Sequence, residues 1–432
     1  MAPTATLTDA LNSPDDPGRG RHVAVIGAGA VGVCCANYLT RAGFNVTVID
    51  PVEPGSREQC SYGNAGGLSP GSCIPNAMPG IVREVPGMLL DPEGPIGLRL
   101  IDLPHALPWL IRFLWSSRRS RVDEIADAMI ALNRHTFESY DPLIREAQCE
   151  DLIKYRGQLI VYEDIEGPAK SALSVGMRRA RGVKVEILDG NQIRELEPAI
   201  GPAYKAGVYL PEQGQCPNPG RLVARLWRLA VSRGARLHRA KARGFVLGGD
   251  GVVAVATDDG QVGADQFVVA AGAFSGPFAS QVGAHVPLIS ERGYHVMIEG
   301  DGTGLRVQTN SASRKFVAAP MEEGLRLSGT VEFARPGTGP RWERADILLR
   351  QGKHMLPGLD ASRVRPWMGN RPGTPDSIPV IERTARHRNV ILAFGHGHQG
   401  LIGASTTGRL VAELASGQPT MIDLTPYRSN RF

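Results

Sequence analysis

The chain lacks any stretch approaching the roughly 18 consecutive apolar residues of a transmembrane helix. Its start, MAPTATLTDALNSPDDPGRG, has no apolar core of the kind a secretory leader carries, and residues 1–20 read as a disordered tail. Cysteine is sparse. The six residues Cys34, Cys35, Cys60, Cys73, Cys149 and Cys216 include no C-x-x-C pair, which argues against a disulfide framework or a zinc site and fits a reducing cytosol. Lysine is scarce beside arginine, and the net charge of +5 is spread along the chain rather than blocked, so no nucleic-acid partner is expected. Internal repeats and low-complexity segments are absent. What remains, 42% hydrophobic and 21% charged over 432 residues, is the composition of a soluble enzyme of two or three domains.

The most informative stretch is His22–Asp50, HVAVIGAGAVGVCCANYLTRAGFNVTVID. Val23–Ile26 is an apolar run of strand length. It passes directly into Gly27, Gly29 and Gly32 in G-x-G-x-x-G spacing and then into a helical pattern ending near Gly43. A second strand, Val46–Ile49, closes on Asp50. Gly27 permits a tight turn, Gly29 lets a pyrophosphate approach the backbone, and Gly32 lets the helix pack against the strand. The helix N-terminus offers free N–H groups to phosphate, and Asp50 is placed to accept hydrogen bonds from an adenosine ribose. Strand, glycines, helix, strand and acid in that order specify a dinucleotide site, without deciding between FAD and NAD.

The loop Cys60-Ser-Tyr-Gly-Asn-Ala-Gly-Gly-Leu-Ser-Pro70 cannot form a core element alone. Its glycines allow close backbone approach to a cofactor, although composition alone leaves a surface loop open. Ala106–Trp115 is apolar and aromatic, followed by Arg118, Arg119 and Arg121. A buried helix with a solvated end is the reading preferred over a membrane-interface segment through 106–121. Arg121–Ala147 reads as a helix pair. Strands are expected at Gly157–Tyr162 and Gly207–Leu210, helices around Gly167–Arg181 and Asn191–Glu197, and a helix over Arg221–Arg233 capped by Asn218 and Pro219. Arg236–Ala240, Gly244–Leu247 and Val252–Thr257 look like a meander. Gln266–Ala273 is a buried strand running into Ala270-Ala271-Gly272, again backbone fit to lie against a ligand. His285–Glu299 and Lys315–Glu332 are strand-rich and predict a second, substrate-facing sheet. Finally the turn-rich Trp367–Pro379, with Arg371 in it, leads to the strand Val390–Phe394, then Gly395-His-Gly-His-Gln-Gly-Leu-Ile-Gly403 and a helix over Ala404–Ala415. Strand, glycine turn and helix thus recur, and the chain returns to complete its first domain.

These motifs together resemble the D-amino acid oxidase and dehydrogenase superfamily of FAD enzymes, closest in pattern to bacterial D-amino acid dehydrogenases. The resemblance runs from about residue 20 to the C-terminus and rests on Gly27–Asp50, Ser61–Pro70, Val268–Gly272, Arg371–Asp376 and Gly395–Gly403. It implies an α/β fold: a Rossmann-type FAD-binding domain assembled from residues 21–84, 206–285 and 369–432, and an α+β substrate domain with a mostly antiparallel sheet from 85–205 and 286–368. It implies FAD held by Gly27, Gly29, Gly32 and Asp50. The loop Ser61, Asn64, Ala65, Gly66, Gly67 and Leu68 would pass beside the flavin ring, Ala270, Ala271 and Gly272 beside the diphosphate, and Gly395, Gly397, His398, Gln399, Gly400 and Leu401 around the pyrimidine end. There a helix N-terminus would stabilise the negative charge of the reduced ring. Arg371 matches the arginine that clamps a substrate carboxylate, a task suited to a bidentate guanidinium. With the α-C–H so positioned, no protein base is required if the amine arrives neutral.

Three departures from the family pattern bear on detail. A tyrosine that assists the carboxylate in glycine-oxidase-like members is matched here by Phe316, which leaves Tyr294 as the candidate substitute. The cysteine or histidine that attaches FAD covalently in some members is missing, the former position being Gly369, so the cofactor is expected to be non-covalent. No lysine lies between Lys315 and Lys353, which favours a quinone or other electron carrier over O2. His398 is a candidate to face the substrate, His396 and His295 less so, and no metal site is expected. The leading reading is a dehydrogenase that turns a D-amino acid into an imine and thence a 2-oxo acid and ammonia. Its alternatives are oxidation of a cyclic or N-alkyl amino acid such as D-proline, hydroxyproline or sarcosine, an NAD-linked dehydrogenase, and a tRNA-modifying flavoprotein of the same fold. The expected location is the cytoplasm, with peripheral contact at the inner face of the cell membrane as the alternative.

Overall fold

The computed structural model describes residue 18 and residues 20–91, 93–249 and 251–432. The tail expected over residues 1–20 therefore lies, apart from Gly18 and Gly20, outside the described residues.

The first half of the architecture is a six-stranded sheet in the order Val380–Arg383, Val390–Phe394, Gln266–Val269, His22–Ile26, Asn45–Ile49, Arg236–His238. Every neighbouring pair is parallel except the antiparallel edge pair Val380–Arg383 and Val390–Phe394. A parallel sheet needs both faces covered, and alternate residues of one strand show how this is done. Val23 and Val25 pack with Val33, Leu39, Leu226 and Val411, on the helices Ala30–Arg41, Pro219–Ser232 and Gly400–Ser416. Ala24 and Ile26 pack on the other side with Val252, Val255 and Phe278. The meander expected there is shifted by one strand. Ala242–Gly248, Gly251–Thr257 and Gln261–Gly263 form the antiparallel three-stranded sheet, while Arg236–His238 joins the parallel sheet beside Asn45–Ile49. The helices Ala30–Arg41 and Gly400–Ser416 touch backbone to backbone: a Cβ at Gly408 would lie 2.6 Å from the Cys34 carbonyl oxygen.

The second half is a nine-stranded sheet in the order Val364–Gly373, Ile289–Ile298, Gly324–Phe333, Phe316–Met321, Gln308–Ser311, Gln158–Tyr162, Ala206–Leu210, Glu186–Asp189, with Ile96–Leu98 added alongside Gly324–Phe333. Its pairs are antiparallel apart from Gln308–Ser311 with Gln158–Tyr162 and the added strand. One face is closed by the helix Glu343–Met355, whose Leu348 and Met355 pack under Leu325 and Leu327.

Sheet membership divides the chain otherwise than the expected boundaries. Ala206–Leu210 pairs with Gln158–Tyr162, and Val364–Gly373 pairs with Ile289–Ile298 along its whole length, so 206–210 and 369–373 belong to the substrate sheet. The helix Thr136–Glu146 lies instead on the nucleotide half, and Arg119–Asn133 lies between the halves, its Val122, Ala126 and Ile130 packing with Val208 and Leu210 of the substrate sheet. Met129 and Leu132 pack with Ile381 and Leu410, and Tyr140 and Leu143 join the core under the parallel sheet. These pairings are long-range, and no local pattern encodes them. Asn218 does cap its helix, accepting from Arg221 N at 2.9 Å. The segment Ala106–Trp115 falls in the helix Leu103–Ser116, and here the expectation of a buried helix needs correction. Ala106 and Trp109 are buried, but Leu107, Ile111 and Trp115 are exposed, Ile111 and Trp115 at 58% each. No helix among the described residues is long and apolar enough to cross a membrane.

Candidate active site

A single cavity of about 1170 Å³ runs from the glycine turn of the parallel sheet to the inner face of the nine-stranded sheet. At one end the chain turns at Gly27, where φ is +105°, a conformation favouring glycine. A Cβ on Gly32 would sit 1.9 Å from the Gly27 carbonyl oxygen, so this glycine supports the turn from behind and does not line the cavity. Gly29 faces the cavity, and a Cβ there would meet only Ser61 Oγ, at 3.3 Å. Its bareness is directed toward a ligand. The helix beginning at Ala30 has no side-chain cap, although Ser61 Oγ accepts from Ala30 N at 2.9 Å. Asp50 lines the cavity with Oδ2 accepting from Ala28 N at 2.7 Å and Oδ1 from Val52 N at 3.0 Å; burial pushes its carboxyl above the ordinary value. Ala270, Ala271 and Gly272 form the adjoining wall, as does Ala242 beside Lys241.

In the middle, the loop after Ser61 is fixed by a buried arginine that sequence reasoning did not single out. Arg326 Nη1 donates to the Tyr62 carbonyl at 2.8 Å and the Asn64 carbonyl at 2.5 Å, and burial lowers its pKa to about 10. Asn64 Oδ1 accepts from Gly66 N at 2.8 Å, and its amide donates to the His398 carbonyl at 3.4 Å, joining this loop to the turn after Val390–Phe394. Ser61, Asn64, Ala65 and Gly67 line the cavity. Gly66 and Leu68 do not: Gly66 is pressed against the Cys216 carbonyl, and Leu68 is part of the core. Trp367 packs over Gly63, stacks on His295 with ring centroids 4.8 Å apart, and donates from its indole to the Arg57 carbonyl at 2.8 Å. His295 thereby has a structural place, with Nδ1 3.1 Å from the Gly63 carbonyl.

The opposite wall is the turn Gly395–Leu401. Gly395, Gly397, His398, Gly400 and Leu401 line the cavity, and the uncapped N-terminus of Gly400–Ser416 opens beside them. Helix residues brace this turn from outside. Asn133 Nδ2 donates to Gln399 Oε1 at 2.8 Å, which holds Gln399 out of the main cavity, and Tyr140 donates to the Leu401 carbonyl at 2.8 Å. His396 is buried against Thr407 Oγ1 at 2.9 Å, and burial drives its pKa down to about 4. His398 turns its ring to the cavity, where the enclosing walls and then the Arg371 charge also hold it at about 4. Both are neutral at pH 7.

At the far end the nine-stranded sheet supplies the roof. Arg371 lies on it, half-buried, lining the cavity, and among the described residues it makes no hydrogen bond or ion pair. Ser328 and Thr330 also line the cavity, and their hydroxyl oxygens are buried without a partner among the described residues. Polar groups so placed await a bound molecule. Beside Arg371 the wall becomes apolar, with Trp109, Phe113, Ile96, Val331 and Phe333. Trp109 stacks on Phe113 at 5.2 Å and is tied by its indole to the Gly373 carbonyl at 3.1 Å, two residues along the strand from Arg371.

Tyr294, expected near the substrate carboxylate, is not brought to this cavity. Residues 291, 293 and 295 of its strand face the cofactor side, so 292 and 294 face away, as strand alternation requires. Tyr294 is fully buried, donating to Glu332 Oε2 at 2.7 Å and accepting from Arg341 N at 3.0 Å. Phe316 likewise lies in the core behind the sheet while its neighbour Val317 lines the cavity. Besides Arg326, the residue missed was Glu291, one of the cavity's acids, whose place depends on pairing with Arg371. Among the described residues no three metal-ligating side chains cluster.

The donor set fits FAD. A bare glycine turn and helix N-terminus suit a diphosphate, Asp50 suits a ribose, and the two facing loops suit a flat ring under a roof with unpartnered hydroxyls. Comparison with known proteins agrees. The profile of the family described as FAD dependent oxidoreductase, DAO, matches residues 22–414. The chain is 44% identical to the D-amino-acid oxidase of Bradyrhizobium diazoefficiens, over 96% of this chain and 99% of that protein. It is 31% identical to the D-amino acid dehydrogenase of Paramagnetospirillum magneticum, over 95% and 98%. Among solved structures, glycine oxidase from Geobacillus kaustophilus superposes with a TM-score of 0.73 at 21% identity, over 95% of this chain and 99% of that one. The cofactor is FAD, and the chain belongs to the DAO family of FAD-dependent oxidoreductases.

Proposed function

We propose that the protein oxidises the Cα–N bond of a D-amino acid, giving an imine that water hydrolyses to a 2-oxo acid and ammonia. The observation that carries this is the unpartnered Arg371 guanidinium at the end of a cavity continuous with the dinucleotide turn. A cation held near a low-dielectric wall without a counter-ion is costly unless an anion arrives, and a carboxylate accepts both of its parallel N–H donors. The curated relatives named as D-amino acid enzymes, at 44% and 31% identity, support the substrate class. Bound FAD supplies the two-electron acceptor for the α-hydrogen and its electron pair. The chain's own contribution is placement. Arg371 fixes the carboxylate, Trp109 and Phe113 take an apolar side chain, and the roof excludes water from the α-carbon. FAD is expected to be non-covalent, with Asp50 at the ribose and the Ser61–Gly67 loop beside the ring.

The same clamp would serve a cyclic or N-alkyl amino acid, and the apolar wall beside it accommodates a pyrrolidine ring equally well. For the electron acceptor we propose a quinone or electron carrier. The exposed Ile111 and Trp115, with Arg118 stacked 3.4 Å over the Trp115 ring, offer a surface for peripheral contact with the inner face of the cell membrane. The test is anaerobic mixing of the yellow protein with D-alanine, D-phenylalanine, D-proline and their L-enantiomers, following flavin absorbance near about 450 nm. Bleaching by D-forms supports the reading. A flavin that stays oxidised with all of them refutes it.

A further inference from the structure

Glu291 and Arg371 are opposite each other in register on the paired strands Ile289–Ile298 and Val364–Gly373, and directly opposed residues on such a pair share a face. Opposite charges so placed ordinarily join. These two do not come within ion-pair distance, and among the described residues Glu291 makes no hydrogen bond either. The reason lies in two glycines. The Arg371 guanidinium leans over Gly293, where a Cβ would lie 2.1 Å from its Cζ. The Glu291 carboxylate leans the other way over Gly373, where a Cβ would lie 2.3 Å from its Oε1. The pair is thus splayed across the strands, with a cation at one end, an anion at the other, and cavity between them.

We propose that Glu291 is the partner of the substrate's α-ammonium group and accepts one proton from it before oxidation. This deepens the reading above and rests on it. A zwitterionic α-amino acid carries carboxylate and ammonium on one carbon, and the splayed pair presents the complementary charges to both ends. In the step, one N–H bond of the ammonium breaks, its electron pair stays on nitrogen, and an O–H bond forms at Glu291. The neutral amine then holds the lone pair that becomes the C=N bond when the α-hydrogen leaves with its electrons.

The surroundings suit such a role. Burial pushes the Glu291 carboxyl up to about 7, opposed by Arg371, so it exchanges a proton near neutral pH. The other titratable groups facing it are His396 and His398, which share a small recess with it together with Asn76, Thr374 and Ser377. Both imidazoles sit at about 4 and stay neutral. From the helix Leu103–Ser116 the nearby group is the uncharged indole of Trp109. Arg292 and Glu332 lie on the far face of the sheet, bonded there to each other and to Tyr294 and Arg99.

The test uses the holoenzyme and its Glu291→Gln variant with two probes: the D-amino acid turned over fastest, and benzoate, a carboxylate without an amine. Two effects of opposite sign are expected. At about pH 7.5 kcat/KM for the amino acid falls at least about tenfold and its acid limb near pH 7 disappears. At about pH 8.5 benzoate, read from the flavin absorbance change on binding, binds at least about threefold tighter, because the like charge of Glu291 is gone. Glu291→Asp retains the charge and should keep the pH dependence of benzoate binding. Equal weakening of both probes in Glu291→Gln, or no change in either, overturns the proposal. If no D-amino acid is oxidised by the wild type, the substrate reading fails while the benzoate measurement still reports on Glu291.

Discussion

The substitution Gly293→Ala tests the carboxylate clamp without touching Arg371. An alanine Cβ would lie 2.1 Å from Cζ, 2.2 Å from Nη2 and 2.5 Å from Nε of Arg371. No carbon tolerates such contacts. The conflicting atoms are the far end of a flexible side chain, so the guanidinium moves and the backbone stays. Gly293 sits at a register shift in its pairing with Gly324–Phe333 but has a negative φ that alanine can adopt, and alanine there lowers the entropy of the unfolded chain, which favours the fold by about 0.4–1 kcal/mol. The loss is confined to binding. A charge-assisted hydrogen bond is worth about 1.5–3 kcal/mol, so kcat/KM for the amino acid should fall roughly 10- to 150-fold. The assay is steady-state oxidation with a dye acceptor, alongside flavin content and a thermal melt. A yellow, stable Gly293→Ala protein with unchanged kcat/KM would refute the claim that Arg371 acts from its place over Gly293.

Other outcomes follow from separate parts of the molecule. Gly32→Ala places a Cβ 1.9 Å from the Gly27 carbonyl oxygen, backbone that cannot yield, so the variant should purify colourless or with flavin content reduced at least about tenfold. Arg326→Met removes both hydrogen bonds from Nη1 to the Tyr62 and Asn64 carbonyls and should weaken FAD retention in dialysis while leaving apoprotein secondary structure, read by circular dichroism, unchanged. Trp109→Ala should cost D-phenylalanine more kcat/KM than D-alanine, by about 1–3 kcal/mol, the value of apolar contact in a pocket. Linkage gives a pH effect through Glu291. Its folded-state pKa, about 7, lies above the ordinary 4.5, so the wild type loses stability as pH rises between these values, by up to about 3 kcal/mol. Glu291→Gln apoprotein should therefore be the more stable of the two at about pH 8, with the difference vanishing below about pH 4.5, as urea unfolding would show.

Much of this was legible in the chain because it is local. Gly27, Gly29 and Gly32 between two apolar runs dictate a turn, and the structure puts that turn at the end of the central strand His22–Ile26. Asn218 and Pro219 start their helix for reasons confined to four residues. Features created by distant pairing were not legible. Ala206–Leu210 reads like any strand until Gln158–Tyr162 lies beside it. Tyr294 went astray for a related reason: a strand pattern gives alternation, but which parity meets the cavity is decided by the neighbours, here Arg371 over Gly293 and Gly63 against His295. Glu291 left one faint mark, an acid in the strand ISERGYHVMI, which is buried along its whole length, and its significance appears only with Arg371 set opposite it.

The central claim is that one unpartnered guanidinium anchors an α-amino carboxylate against FAD. The most direct measurement is anaerobic flavin reduction in wild type and Arg371→Leu by a single D-amino acid over a range of concentrations. The account predicts rapid bleaching of the wild type, and in Arg371→Leu bleaching whose second-order rate constant is at least about tenfold lower with flavin content unchanged. Equal rate constants in the two proteins would contradict it.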